Sequence, residues 1–148
     1  IGCGLIAGLY FSFSTFIMTA FAGINQASGI AAMNAINVVI QRSLFMPFFA
    51  GTTLACLTLA AFALFRWSEA GSLVLLTGSL IYVIGMFVCT MVMNVPLNNA
   101  LAAVADPASA EAAKTWAIYL KDWTFWNHVR TFASIAGSAA SIYALIVR

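Results

Sequence analysis

The chain has 148 residues, 64% of them hydrophobic and only 7% charged, against about 45–50% and about 25% in ordinary soluble domains. Six Lys and Arg and four Asp and Glu cannot cover a soluble protein of this length, and so much apolar surface excludes a disordered chain. The net charge of +2, scattered along the sequence, excludes a nucleic-acid-binding surface.

The length fits one domain, residues 1–148. The chain opens on Ile1 rather than Met, which points to residues upstream. Its first apolar run, roughly 1–22, is too long for the core of a secretory signal and lacks a cleavage signature, so it reads as a spanning helix. The connection 23–43 contains an amphipathic helical stretch from Ile30 to Arg42. A second span runs roughly over 44–65 and ends at Arg66. Residues 66–71 form a tight turn, so the second and third spans are antiparallel neighbours. The third span covers roughly 72–93. The connection 94–123 begins Asn94-Val95-Pro96-Leu97-Asn98-Asn99 and holds a second amphipathic stretch from Pro107 to Asp122, with Asp106 as N-cap and Pro107 at the first helical position. The fourth span runs roughly over 124–147 and ends at Arg148. Continuous apolar runs exclude a β-barrel.

The expected fold is an all-α integral membrane four-helix bundle, with amphipathic helical cap segments on one membrane face. A bacterial inner membrane is the expected location. Arg66 and Arg148 fall on the turn face, and Arg42, Lys114, Lys121 and Arg130 on the cap face. The raw count favours a cytoplasmic cap. Setting Arg42 and Arg130 aside as site residues leaves equal counts, so the orientation stays open.

Small residues recur at packing distance: Gly4, Gly8 and Ser12 on the first span, Gly71, Gly78 and Gly85 on the third, Ala133, Gly137 and Ser141 on the fourth. In lipid such stripes let helix backbones approach and hold a bundle together. Cys3, Cys56 and Cys89 lie in apolar runs, form no metal or disulfide motif, and read as small hydrophobes.

The polar residues converge at the cap face. Asn34, Asn37 and Gln41 share one helix face, and Asn94 and Asn98 share another, with Thr90 one turn earlier. Trp123, Asn127, Arg130 and Ser134 form a stripe entering the fourth span, with Trp126 at its edge. An arginine inside an apolar run usually faces a bundle interior or a wet cavity. Arg130 has no acid on its own helix nearer than Asp122. A pocket for an anionic or carbonyl-bearing ligand satisfies it; an interhelical hydrogen-bond network, or an arginine reaching the headgroup level, is the other reading. His128, the only histidine, lies beside the stripe. It reads as an interfacial side chain, as a general base, or with Met91 or Met93 as a haem ligand pair. No Ser-His-Asp set, Gly-rich phosphate loop or carboxylate pair is present, and no multi-histidine metal set.

Asn94-Val95-Pro96-Leu97-Asn98, followed by Trp116, Tyr119 and Trp123 and then Trp126-Asn127-His128-Val129-Arg130-Thr131, resembles the DUF1772, or anthrone oxygenase-like, family of small four-span membrane proteins. Gly8 to Phe13 and Met33 to Asn37 are also similar to it. The resemblance implies oxidation of an anthrone-like aromatic by O₂ without a cofactor or metal. An anthrone has an acidic CH₂ opposite a carbonyl, and its enolate reacts with O₂ directly. On that basis Trp123 and Trp126 sandwich the rings, Arg130 with Asn127, Asn94 and Asn98 stabilises the enolate oxygen, and His128 is the base. Asn34 and Asn37 complete the candidate binding set. The implied partners are the lipid bilayer and a lipophilic aromatic small molecule.

Two other function classes fit the composition. A lipophilic-ligand binder, or an accessory subunit of a membrane complex or homo-oligomer, needs only apolar helices with small-residue faces. A transporter or channel needs a continuous polar path, and the deeper halves of the second and third spans offer only Thr58, Ser79 and Tyr82.

Overall fold

Five helices carry the chain in the computed structural model, which describes residues 1–147: α1 (Gly2–Ala22), α2 (Gln26–Ile40), α3 (Phe45–Phe65), α4 (Ser72–Ala102) and α5 (Ala110–Ile146). No strand occurs among these residues. α1, α3, α4 and α5 are long and apolar enough to cross a membrane. The 21 residues of α3 extend about 31 Å at 1.5 Å per residue, which matches the hydrocarbon thickness of a bilayer. Large apolar side chains such as Leu54, Leu64, Phe132 and Leu145 point outward, as lipid-facing residues do. The fold is thus an all-helical four-span membrane bundle.

The cap is built differently from the sequence expectation. α4 does not stop near residue 93, and α5 does not wait for residue 124; each span runs on into the cap. Pro96 is tolerated because α4 widens into a π-helical turn at Thr90–Asn94. The helix resumes at Val95 with the proline in its first turn, where a missing N–H removes no bond. Another π-turn, Tyr119–Trp123, joins the cap part of α5 to its membrane part. Only α2 is a separate cap helix. It starts at Gln26, earlier than the amphipathic stretch, because the Asn25 carboxamide oxygen accepts from the N–H groups of Ala27 and Ser28 at 3.0 and 3.4 Å. The Asp106-Pro107 helix start is also displaced. Asp106 closes a turn by accepting from Ala108 N at 3.0 Å, and Ser109 is the N-cap of α5, accepting from Ala112 N at 3.1 Å.

At the opposite end, Arg66–Gly71 forms the tight turn between α3 and α4. Arg66 Nη1 meets Glu69 Oε1 at 2.8 Å, and Ser72 Oγ donates to the Arg66 carbonyl at 2.6 Å. Gly71 has φ +82°, and a side chain there would meet the Ala144 carbonyl of α5. Arg148, assigned to this face from sequence, lies outside the described residues. α4 and α5 approach through their small residues, Gly78 on Ala140 and Gly85 on Ala133. α1 departs from its expected stripe. Nothing lies within 4 Å of a Cβ built on Gly8, and the Ser12 hydroxyl turns back to the Gly8 carbonyl at 3.1 Å. α1 packs instead through Cys3, Ile6, Ala7, Tyr10 and Phe13. Of the stripe only Gly4 lies near a neighbour, a Cβ there being 3.7 Å from Ser138 Oγ of α5. Cys3 Sγ lies 3.7 Å from Cys56 Sγ in the interior, both thiols buried.

Candidate functional site

The site is assembled along one stripe of α5. Trp116, Tyr119 and Trp123 stack in a column, with ring centroids 5.7 Å apart and planes at 12° for the first pair, and 5.6 Å and 19° for the second. The Arg130 guanidinium continues the column, 4.9 Å from the Trp123 ring, and its other side lies 4.2 Å from the Tyr10 ring of α1. A cation held between two aromatic faces is stabilised there by both ring quadrupoles.

Arg130 is buried to 4% exposure and pairs with no carboxylate among the described residues. Its Nη2 donates to Asn127 Oδ1 at 2.8 Å, its Nη1 reaches Thr90 Oγ1 at 3.4 Å, and its Nε has no partner. Asn127, one turn earlier, is fully buried and ties α5 to α1: its Nδ2 donates to the Tyr10 carbonyl and to Ser14 Oγ, each at 2.7 Å. Ser14 and Thr131 Oγ1 are 3.0 Å apart. From α4, Asn94 Nδ2 donates to the Trp123 carbonyl at 3.2 Å, while its Oδ1 is buried without a partner.

All three helices widen where they meet this cluster. α1 has a π-turn at Phe13–Ile17, next to the Tyr10 carbonyl that Asn127 caps. α4 has two, Val83–Val88 and Thr90–Asn94, the second carrying both Thr90 and Asn94. α5 has Tyr119–Trp123, carrying two rings of the column. A π-turn gives up regular hydrogen bonding to redirect side chains, and such turns concentrate at functional sites.

Beside Arg130 lies a cavity of about 400 Å³, walled by all five helices and within the range of small-molecule sites, about 300–1,000 Å³. Its wall is mainly apolar, with Met33, Phe45 and Phe49 facing Tyr10, Phe13 and Trp123. Its polar lining consists of Asn37, Gln41, Thr90, Asn98, Asn99 and Arg130. Tyr119 donates to Asn98 Oδ1 at 2.8 Å, and Asn37 lies beside the same phenol. Three donors of wall residues have no partner: Arg130 Nε, Asn37 Nδ2 and Trp123 Nε1. No Asp, Glu or His is among the described lining residues. A donor-rich, positively charged wall in an apolar cavity is suited to a flat molecule carrying a carbonyl or an oxyanion.

Of the residues singled out from sequence, Arg130, Trp123, Asn37 and Asn98 line the cavity, and Asn127 and Asn94 bind directly behind it. The structure does not bring Asn34, Trp126 or His128 to the wall. Asn34 is in α2 with its Oδ1 buried and unpartnered. Trp126 lies edge-on to Phe125 at 5.0 Å rather than opposite Trp123, whose flank is taken by Tyr119 and Arg130. His128 is half-buried and makes no side-chain hydrogen bond among the described residues. Each helical residue turns the side chain about 100°, so His128 points about 160° away from Arg130 and cannot share its face, whereas Trp126, one turn before Arg130, lies at the edge of that face and packs on Phe125 instead. Tyr10, Phe13, Ser14 and Tyr119 were not assigned a site role from sequence. Tyr10 and Ser14 are polar interruptions of the first apolar run, and Tyr119 sits three and four residues from Trp116 and Trp123.

Fold and site together define a helical membrane protein with a small-molecule cavity at one bilayer face, organised around a buried arginine. Within that class the chain belongs to the anthrone oxygenase family, whose profile matches residues 38–140. The match holds every wall residue of α3, α4 and α5; α1 and the wall residues Met33, Ile36 and Asn37 of α2 precede it. No curated protein and no solved structure matches the chain.

Proposed function

We propose that the cavity binds a flat lipophilic aromatic ketone of the anthrone type and that the protein oxidises it with O₂, with no cofactor, in a bacterial inner membrane. The observation that carries this reading is Arg130: a buried cation with no carboxylate partner among the described residues and an Nε without a hydrogen bond, in the wall of a mainly apolar cavity in a member of this family. The substrate carbonyl lies against Arg130, and the amides of Asn37 and Asn98, by Tyr119, bind the far end of the molecule. As the CH₂ opposite loses a proton, charge develops on that oxygen, and preorganised donors in a low-dielectric site stabilise it. The enolate carbon adds O₂ and takes up a proton, giving a hydroperoxide. Loss of the remaining C–H proton with cleavage of the O–O bond gives a second carbonyl and water. The balance is one CH₂ and one O₂ to one C=O and one H₂O.

One observation favours a second reading. The wall lacks a carboxylate or imidazole, so the proton leaves to water at the cavity mouth, or the cavity binds its ligand without converting it. An anthrone added to detergent-purified protein separates the two. Enzyme action gives O₂ uptake in one-to-one proportion with anthraquinone absorbance, above the protein-free rate. Saturable quenching of tryptophan emission with no added O₂ uptake overturns the enzyme reading and leaves the binder.

A further inference from the structure

Four residues of the cavity wall are exposed, and they mark its mouth: Gln41 and Met46 on one side, Met91 and Asn99 on the other. Met46 is 38% and Met91 50% exposed. Every other wall residue is buried or half-buried. The mouth therefore lies between the start of α3 and the far end of α4. These helices pack along Ser72–Tyr82, near their connecting turn, and only sparsely beyond it. The pair is splayed like a V, and the cavity sits in the open end.

Depth can be read from the turn. The hydrocarbon layer is about 30 Å thick, or about 20 helical residues. Counting from Phe65 along α3 places Met46 at its far edge, and counting from Ser72 along α4 places Met91 at that same edge. Asn99 lies about 12 Å further out, at 1.5 Å per residue, and Gln41 likewise precedes the span. Arg130, 16 positions from Ile146, lies about one turn inside the edge. So the slot has an amide rim among the headgroups, a methionine edge against the acyl chains, and a cation slightly deeper. Methionine suits such an edge, because its unbranched thioether adapts to irregular apolar partners.

We infer that the cavity takes its ligand sideways from the bilayer, and that the ligand is amphiphilic: a flat oxygen-bearing head that reaches Arg130, and an aliphatic chain that leaves between Met46 and Met91 into the lipid. This rests on the proposed ligand cavity but not on the reaction. A head arriving from water would need the opening at the amides alone, with its apolar edge closed. Instead the two methionines are open at the level where acyl chains begin.

The test uses the native protein in phosphatidylethanolamine–phosphatidylglycerol vesicles and a hydroxyanthraquinone carrying a diazirine at the end of an eight-carbon chain. After illumination, labelled peptides are mapped by mass spectrometry with and without excess chain-free hydroxyanthraquinone. The expected result is labelling at Leu44–Phe49 and Thr90–Val95 that the chain-free ring suppresses at least about tenfold, the reduction expected when a competitor occupies the site in large excess. A Met46→Trp, Met91→Trp variant that narrows the slot should lose that labelling at an unchanged elution volume in detergent, and full labelling of that variant overturns the inference. Suppressible labelling confined to α2 and to residues 97–109 overturns the inference, since the chain then points to water, and leaves the cavity reading standing. Unsuppressed labelling spread over the outer faces of all spans overturns both.

Discussion

Near the Arg66–Gly71 turn, α4 and α5 touch through Gly78, Ala140 and Gly137, and Ser72–Tyr82 is regular α-helix. At the cap end the same two helices carry π-turns, tryptophans, amides and a buried arginine, and they enclose a cavity with α1, α2 and α3. The contrast separates two tasks. Lipid supplies no hydrophobic drive between helices, so cohesion comes from close backbone approach, which small residues provide. Holding a ligand needs the reverse: helices kept apart by large side chains, and a ladder loosened so that polar groups point inward. One end makes the bundle cohere, and the other uses that cohesion to keep a polar, partly empty region in place.

The sharpest way to break the contrast is Arg130→Gln. If the cap end is a site, turnover of an anthrone falls about 10²–10³-fold, the cost of removing one preorganised oxyanion donor, while the elution volume in detergent is unchanged. Full turnover by the folded variant would reduce the cap end to polar packing. Asn127→Leu tests the support beneath. It removes the short acceptor of Arg130 and the clamp on the Tyr10 carbonyl. Thermal unfolding in detergent should show a loss of about 1.5–3 kcal/mol, as for hydrogen bonds to a charged group.

The turn end was the more legible of the two in the sequence. Apolar runs fix four spans, the Arg66–Gly71 turn fixes one antiparallel pair, and Gly78 and Gly85 announce the approach of α4 to α5. The gathering of Asn94, Asn98, Asn127 and Arg130 at the cap end was also readable, because helical spacing and antiparallel spans suffice for it. What the spacing could not yield are the π-turns. They depend on how three helices compete for space, so Pro96 looked like an end where the helix in fact resumes. The same shift hid the share of α1: a glycine stripe suggested one packing face, while Tyr10 and Phe13 occupy another. His128 seemed close to Arg130 along the chain but is turned to the other side of the helix, and Trp126, on the edge of the same face, packs on Phe125 rather than on the cavity.

Gly78→Ala probes the cohesive end alone. A Cβ there runs into Ala140, with the Gly137 carbonyl at 3.6 Å, so neither helix can yield without moving backbone. Stability should fall by about 1–3 kcal/mol, the range for overpacking a filled interface, with turnover per folded molecule unchanged. A fall in turnover without a fall in stability would mean that the two ends are coupled through α4 rather than divided along it.

His128→Ala carries the smallest expected effect and tests the boundary of the site. A base positioned on the substrate contributes about 10²–10⁴-fold. His128 is absent from the cavity wall and has no hydrogen-bond partner among the described residues, although it lies two positions from Arg130. Its removal should therefore change turnover by no more than about twofold, the scale of a substitution away from any structural feature. Initial rates of anthraquinone formation by the two proteins decide it. A loss of a hundredfold would mean that α5 rotates during turnover to bring this face to the ligand. The π-turn at Tyr119–Trp123 would then be the hinge, and the cap end would differ from the turn end in motion as well as in packing.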